Sequence, residues 1–436
     1  MVKLAALAGV LALAGCSLIT DSFETNDFSG DPFPTIIDTS TGAVLVGMKT
    51  GSDPDAGGVL AVVDVLSPVT VIDPGPNMTP SITTEDLLVL GATAPGGPLT
   101  QPRARFAGSQ LISLHPCAET DTECLIGSAS RVRPYQAIIG ADALAGDAVR
   151  LRLGSDQMFV LPDISGPSLE LSRACDGVFP SPYRGGGTLV IGGTELSFSG
   201  RRIAIEACLG SEPLTDPVSA RGTDVLLVMS TGIGSSILGR SAFERYRELY
   251  PMEPALTDTP DDQIHLPSGV IVGWRRTIKN IALVAGSSSA SRAPCRQVHL
   301  QEFLRQRRSC IAGVTCPCED NASFCAVPAV VELAPPVSVL VVADDNDTLQ
   351  ALRTELRPDQ PEVDGILGTD VLRQLEVDID YPNDRVVMRC LQGDCTCAMR
   401  PELASTSDRD RCPQAPNVPP PFAEGVRCTA PSQFVP

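Results

Sequence analysis

Fifteen cysteines, three histidines and two short polar turns are the places where this sequence could do chemistry. Cys16 closes an uncharged run, Leu4 to Gly15, that follows Lys3. At a rise of about 1.5 Å per helical residue the run is too short to span a bilayer, and it suits the apolar region of a secretory signal. The remaining fourteen cysteines are an even number, which in an oxidising compartment predicts up to seven disulfides. Four come early (Cys117, Cys124, Cys175 and Cys208) and ten come late, from Cys295 to Cys428. Cys117–Cys124 is the expected local pair, and Cys175–Cys208 follows by elimination; the late ten stay unassigned. Zinc on Cys316-Pro-Cys318 with His299 is the competing reading. The lack of CxxC pairs favours disulfides. His115, His265 and His299 show no metal-type spacing, so neither a metal nor a cofactor is expected.

The polar turns are Asp64, after Val62-Val63, and Ser230-Thr231-Gly232, after Leu226-Leu227-Val228-Met229. A turn carboxylate can act as a base or simply accept turn N–H groups, and a small hydroxyl can brace a junction. Gly232-Ile-Gly234-Ser-Ser236 does not meet the G-x-S-x-G pattern of a nucleophile elbow. Gly185-Gly-Gly187 and Gly192-Gly193 flank Thr188–Ile191 and read as hairpin turns rather than phosphate loops. Arg305-Gln-Arg307-Arg308 reads as the solvated face of a helix.

Each polar turn belongs to a longer unit that occurs twice. Tyr135-Gln-Ala-Ile-Ile-Gly140-Ala-Asp-Ala-Leu144 matches Val363-Asp-Gly-Ile-Leu-Gly368-Thr-Asp-Val-Leu372. A strand-like stretch follows each, Val149–Leu153 and Leu375–Tyr381. Upstream of each lies a strand, a turn and a second apolar run, around Asp64 and around Ser230. Two lobes of one design are expected.

At these residues the sequence resembles the pepsin-like and retropepsin-like aspartic proteases. That family carries apolar-Asp-Thr/Ser-Gly on one strand turn of each lobe, with an apolar-apolar-Gly segment crossing behind it. The resemblance spans roughly residues 55–390, although about forty positions carry it. It implies a mainly β, bilobal aspartic-protease-like double β-barrel with few short helices and disulfide-stapled loops. It also implies a dyad of carboxylates, one from each lobe, sharing a proton and a water. Here the turns depart from the family. Asp64 remains, but Val65-Leu66 replaces the Thr-Gly after it, and a leucine is disfavoured where glycine's backbone freedom is used. In the second lobe Thr231 and Gly232 survive, while Ser230 stands in place of the second aspartate. Serine cannot hold a negative charge at these pH values, so Asp64 is expected to ionise alone. Asp73 and Asp224 are the substitute carboxylates an active site would need, and both are expected to lie away from the turns.

The rest of the chain fits an all-β protein. Short β-rich runs recur between Gly, Pro, Asn and Asp: Val59–Val63, Val69–Ile72, Leu87–Leu90, Thr188–Ile191, Arg202–Ile205, Val225–Val228, Val337–Val342 and Val386–Met388. Helices are expected over 241–250, with Ser241 as N-cap and Glu244 completing a capping box, and over 300–308 and 348–357. The expected organisation is a signal peptide (1–15), a lipidated tether (16–40), an N-terminal lobe (41–215), a C-terminal lobe (216–390) with a Cys-rich insertion at about 285–330, and a Cys/Pro-rich tail (391–436).

Composition narrows the partners. Asp and Glu total 52 against 33 Lys and Arg, a net charge of −19, which argues against nucleic acid or an anionic lipid surface as the main partner. Leu13-Ala14-Gly15-Cys16 resembles the bacterial lipobox, which implies acylation of Cys16 and a bilayer anchor. Ser17 after the cysteine resembles the outer-membrane address of Gram-negative lipoproteins. The expectation is a lipid-anchored envelope protein with a protease-like fold and a broken dyad, holding peptide or protein in its cleft by strand addition. An active aspartic-type endopeptidase with an altered dyad, and a structural envelope lipoprotein without ligand, are the alternatives.

Overall fold

The computed structural model describes residues 27–115, 135–161, 177–199, 201–210, 222–284, 294–295, 298, 330–355, 362–390 and 395–398, with interruptions at 29, 52–56, 76–77, 95–97, 181–185, 267–268 and 334–335. Cys16, Cys117, Cys124, Cys175, Cys316, Cys318, His299, Arg305–Arg308 and the helix expected over 300–308 fall outside the described residues.

The two repeats fold with the same strand order. In the first lobe Val44–Thr50 pairs antiparallel with Val59–Val63, which runs parallel to Tyr135–Ile139. Val71–Ile72 then lies antiparallel to Tyr135–Ile139 and parallel to Leu99–Ser113. Ser81–Ala92 pairs with Leu99–Ser113 and returns to Val44–Thr50, which closes a barrel. In the second lobe Ala204–Leu209, Thr223–Met229, Gly365–Leu367, Ile237–Gly239, Val337–Val342 and Gly269–Ile278 repeat that order, with the same parallel and antiparallel neighbours. These six sit inside a continuous ten-stranded path. The central strands carry near-continuous apolar runs because both of their faces are covered, as the buried Val225–Met229 shows.

A six-stranded sheet joins the lobes. At its centre Ala148–Arg152 pairs antiparallel with Leu375–Asp380, so the strand closing one repeat lies against the strand closing the other. One apolar core runs through both repeats, from Val44 and Val63 to Leu367 and Met388. The hairpin Gly186–Ile191/Thr194–Ser199 turns at Gly192-Gly193, both with positive φ (56° and 82°), as a two-residue turn requires.

Four details differ from the sequence expectation. Residues 33–40 are not only a tether. Phe33–Pro34 joins the six-stranded sheet, Ile36–Ile37 pairs with Val44–Thr50, and Phe33 is buried. Upstream of residue 215, Ala204–Leu209 already belongs to the second lobe's sheet, because its partners are Thr223–Met229 and Ile281–Val284. The helix Arg240–Leu249 has Gly239 as N-cap with no side-chain cap. Asp344 takes the capping role from outside, accepting the Ser241 N–H at 3.1 Å, while Glu244 pairs with Arg247 at 2.9 Å. Finally, Cys208 is bonded to Cys295, not to Cys175. Pairing by position along the chain missed this. The strand carrying Cys208 lies beside Ile281–Val284, and that brings residue 295 within reach.

Candidate functional site

The two polar turns meet at the junction of the lobes. The Ser230 hydroxyl donates to Asp64 Oδ1 at 2.9 Å, 166 residues away in sequence. The same oxygen accepts the N–H groups of Leu66 (3.0 Å), Gly232 (3.1 Å) and Thr231 (3.3 Å). Ser230 Oγ also accepts the Gly232 N–H at 3.1 Å. Asp64 is 9% exposed, and Ser230 and Thr231 are 0% exposed.

Thr231 adds a second crossing between lobes. Its hydroxyl donates to the Val63 carbonyl at 2.6 Å and accepts the Val65 N–H at 3.2 Å. Val65 has no hydroxyl to return the contact, so this brace runs one way. The N-terminal segment fastens the same turn. Gly234 N–H donates to the Thr41 carbonyl (2.6 Å), Val44 N–H to the Thr231 carbonyl (2.9 Å), and Thr369 Oγ1 to the Gly42 carbonyl (2.7 Å). Gly42 has φ +71°, and a Cβ on it would stand 2.1 Å from Gly234 Cα, so a bulkier residue would force this crossing apart.

Behind each turn the repeated Gly-x-Asp motif builds a hub. Asp142 accepts the Thr70 N–H (3.0 Å) and hydroxyl (2.7 Å), and Thr70 Oγ1 accepts the Gly140 N–H at 3.1 Å. Asp370 does the same with Ser236 (3.0 and 2.8 Å), whose Oγ accepts the Gly368 N–H at 3.0 Å. Gly140 and Gly368 have no room for a side chain. A Cβ would lie 2.4 Å from the Val69 carbonyl oxygen in one case and 2.8 Å from the Ser235 carbonyl carbon in the other. Thr70 and Ser236 each stand six residues after the turn residue of their lobe. The sequence reading did not single them out, yet alignment of the repeats from Asp64 and Ser230 contains that signal. Ser236, committed to Asp370, is not a free nucleophile.

Burial pushes the Asp64 carboxyl above its ordinary value. The hydrogen bonds from Leu66, Ser230 and Gly232, and the charge of Arg202, pull the other way without reversing it. Sequence alone suggests an ordinary ionised carboxylate, because it does not show that the turn is buried. Arg202 is held by Glu355, with Nε donating to Oε2 at 2.7 Å, and no sequence motif marks it. Burial likewise raises Asp142 and Asp370.

The substitute carboxylates are elsewhere. Asp73 is buried and faces His115 Nδ1 at 2.9 Å, and Asp224 accepts the Cys295 N–H at 2.8 Å. Among the described residues, no group of three or more His, Cys, Asp or Glu is placed to hold a metal ion, and no helix is long and apolar enough to cross a membrane. Leu66 and Gly232 both lie outside the left-handed φ region. What Gly232 supplies is therefore space rather than backbone freedom, since a Cβ there would fall 2.6 Å from Asp64 Oδ2.

No protein-family model matches this sequence, and no curated protein matches it. Among solved structures, the chain is similar to an aspartic proteinase from Irpex lacteus (12% identity, 83% of this chain, 97% of that chain, TM-score 0.38). It is also similar to Basic 7S globulin from soybean (10% identity, 82% of this chain, 94% of that chain, TM-score 0.38). The mainly β, two-lobed architecture expected from the sequence is found, with a closed barrel in the first lobe and a disulfide in the second.

Proposed function

We propose that this chain is a non-catalytic member of the aspartic-protease fold, a pseudoprotease that holds an extended peptide or protein segment between its lobes. The observation that carries the reading is the Ser230 hydroxyl donating to Asp64 Oδ1 at 2.9 Å where a dyad needs a second carboxyl. A shared proton and an activated water require two acids whose ionisation is coupled, and a hydroxyl supplies neither charge nor a second acid. Ser230 is also fully buried, with its hydroxyl hydrogen engaged in the bond to Asp64. The β-rich walls on either side are suited to backbone pairing with an added strand. Cys16 anchors the protein to the envelope through acyl chains in this reading, with the outer membrane as the destination and residues before the first sheet strand as the leash.

The test uses a soluble form beginning after Cys16, folded under oxidising conditions. It is incubated with a mixture of unstructured peptides, and retained peptides are analysed by mass. Retention of peptides at full length is the expected result. Retained fragments with new termini would support the altered-dyad endopeptidase, and no retention would leave a structural envelope protein.

A further inference from the structure

Leu66 stands where the second lobe has Gly232, each two residues after the turn position of its own lobe. Gly232 runs against the side chain of Asp64: a Cβ there would lie 2.6 Å from Oδ2 and 2.7 Å from Cγ. The lobes share one strand order and one set of turn bonds, Asp64 N–H to the Ile139 carbonyl and Ser230 N–H to the Leu367 carbonyl, both 3.0 Å. That correspondence places residue 66 opposite residue 230, and a leucine there would be expected to enter the space that the outer atoms of a carboxyl at 230 would fill. Its side chain continues into a hydrophobic cluster whose other buried members, among them Ile233, Ile264, Leu340 and Ile366, all come from the second lobe. Leu66 is 8% exposed.

We infer that Leu66 and Ser230 form a steric lock: the leucine seals the floor of the inter-lobe cleft by seating in the second lobe, and it fits because residue 230 ends at a hydroxyl. This regulates the site proposed above and rests on that reading only for its consequence, which is that a bound segment pairs with the walls and not with Asp64. The lock also means that restoring an aspartate at 230 alone does not rebuild a dyad.

The test is a double-mutant cycle read as thermal midpoints, independent of binding or turnover. Ser230→Asn has the shape of aspartate without its charge, which removes repulsion with Asp64 from the comparison. In the parent chain, Ser230→Asn is expected to lower the midpoint by roughly 5 °C or more, through overpacking. In the Leu66→Gly background the same change is expected to cost less than half as much. A Ser230→Asn variant that does not fold, beside a double variant that does, supports the lock equally. Equal losses in both backgrounds, or a double variant that fails where Leu66→Gly folds, would overturn it. If Leu66→Gly itself does not fold, Ser230→Ala and Ser230→Asn are compared in the parent chain: a loss from Asn well beyond that from Ala supports the lock, and equal losses overturn it.

Discussion

Asp64 places four donors on one oxygen, yet its burial outweighs them and its carboxyl titrates above its ordinary value of 3.8. The consequence for stability has a definite sign. The folded chain holds this proton more tightly than the unfolded chain, so the stabilisation is fully present below 3.8 and is lost as pH rises through the folded value. Asp64→Asn is therefore expected to be more stable than the parent at neutral pH, with the difference closing toward acid; thermal unfolding across pH reads this directly. Ser230→Ala removes one of the bonds that favour the charged form. It should raise the Asp64 titration further and cost about 1–2 kcal/mol at neutral pH, read by carboxyl-resolved NMR and denaturant unfolding. Leu66 shows the limit of reading residues singly. Its departure from glycine is visible in sequence, but its seat in the second lobe's hydrophobic cluster appears only once the lobes meet.

At the scale of elements, the repeat was legible because both lobes need the same hub. A carboxylate behind the turn has to satisfy an N–H and a hydroxyl, and a glycine beside it has to let the backbone pass. That is why Gly140/Asp142 and Gly368/Asp370 recur while the segments between them diverge. Thr70→Val and Ser236→Ala are expected to cost similar amounts, about 2 kcal/mol each, because each leaves a buried carboxylate short of one donor. Unequal losses measured by denaturant unfolding would mean that the hubs are not equivalent. Thr231→Val removes both hydroxyl bonds that cross to the first lobe, for about 2–3 kcal/mol. The helix at Arg240–Leu249 was legible in place but not in its cap, since Asp344 arrives from 103 residues away. Local patterns such as a capping box cannot register a competitor so distant in sequence.

Across the whole molecule, the lobes are joined by the six-stranded sheet, by the segment 38–44 and by the meeting of the turns. The one described disulfide, Cys208–Cys295, closes 87 residues within the second lobe. Replacing both cysteines by serine should cost about 4 kcal/mol through the freedom returned to the unfolded chain, measured as the shift in denaturant midpoint. Burial also raises Asp142, Asp224 and Asp370, so four carboxyls favour the protonated folded state, and the net charge of −19 adds self-repulsion at neutral pH. The replacement of the second turn carboxyl by Ser230 is most directly tested by following hydrolysis of an unfolded protein substrate from about pH 3 to pH 7, where coupled carboxylates would act. The soluble oxidised protein is compared with Asp64→Ala. No turnover by either protein is the expected result. Turnover by the parent that disappears in Asp64→Ala would contradict the account and show that a second acid completes the site.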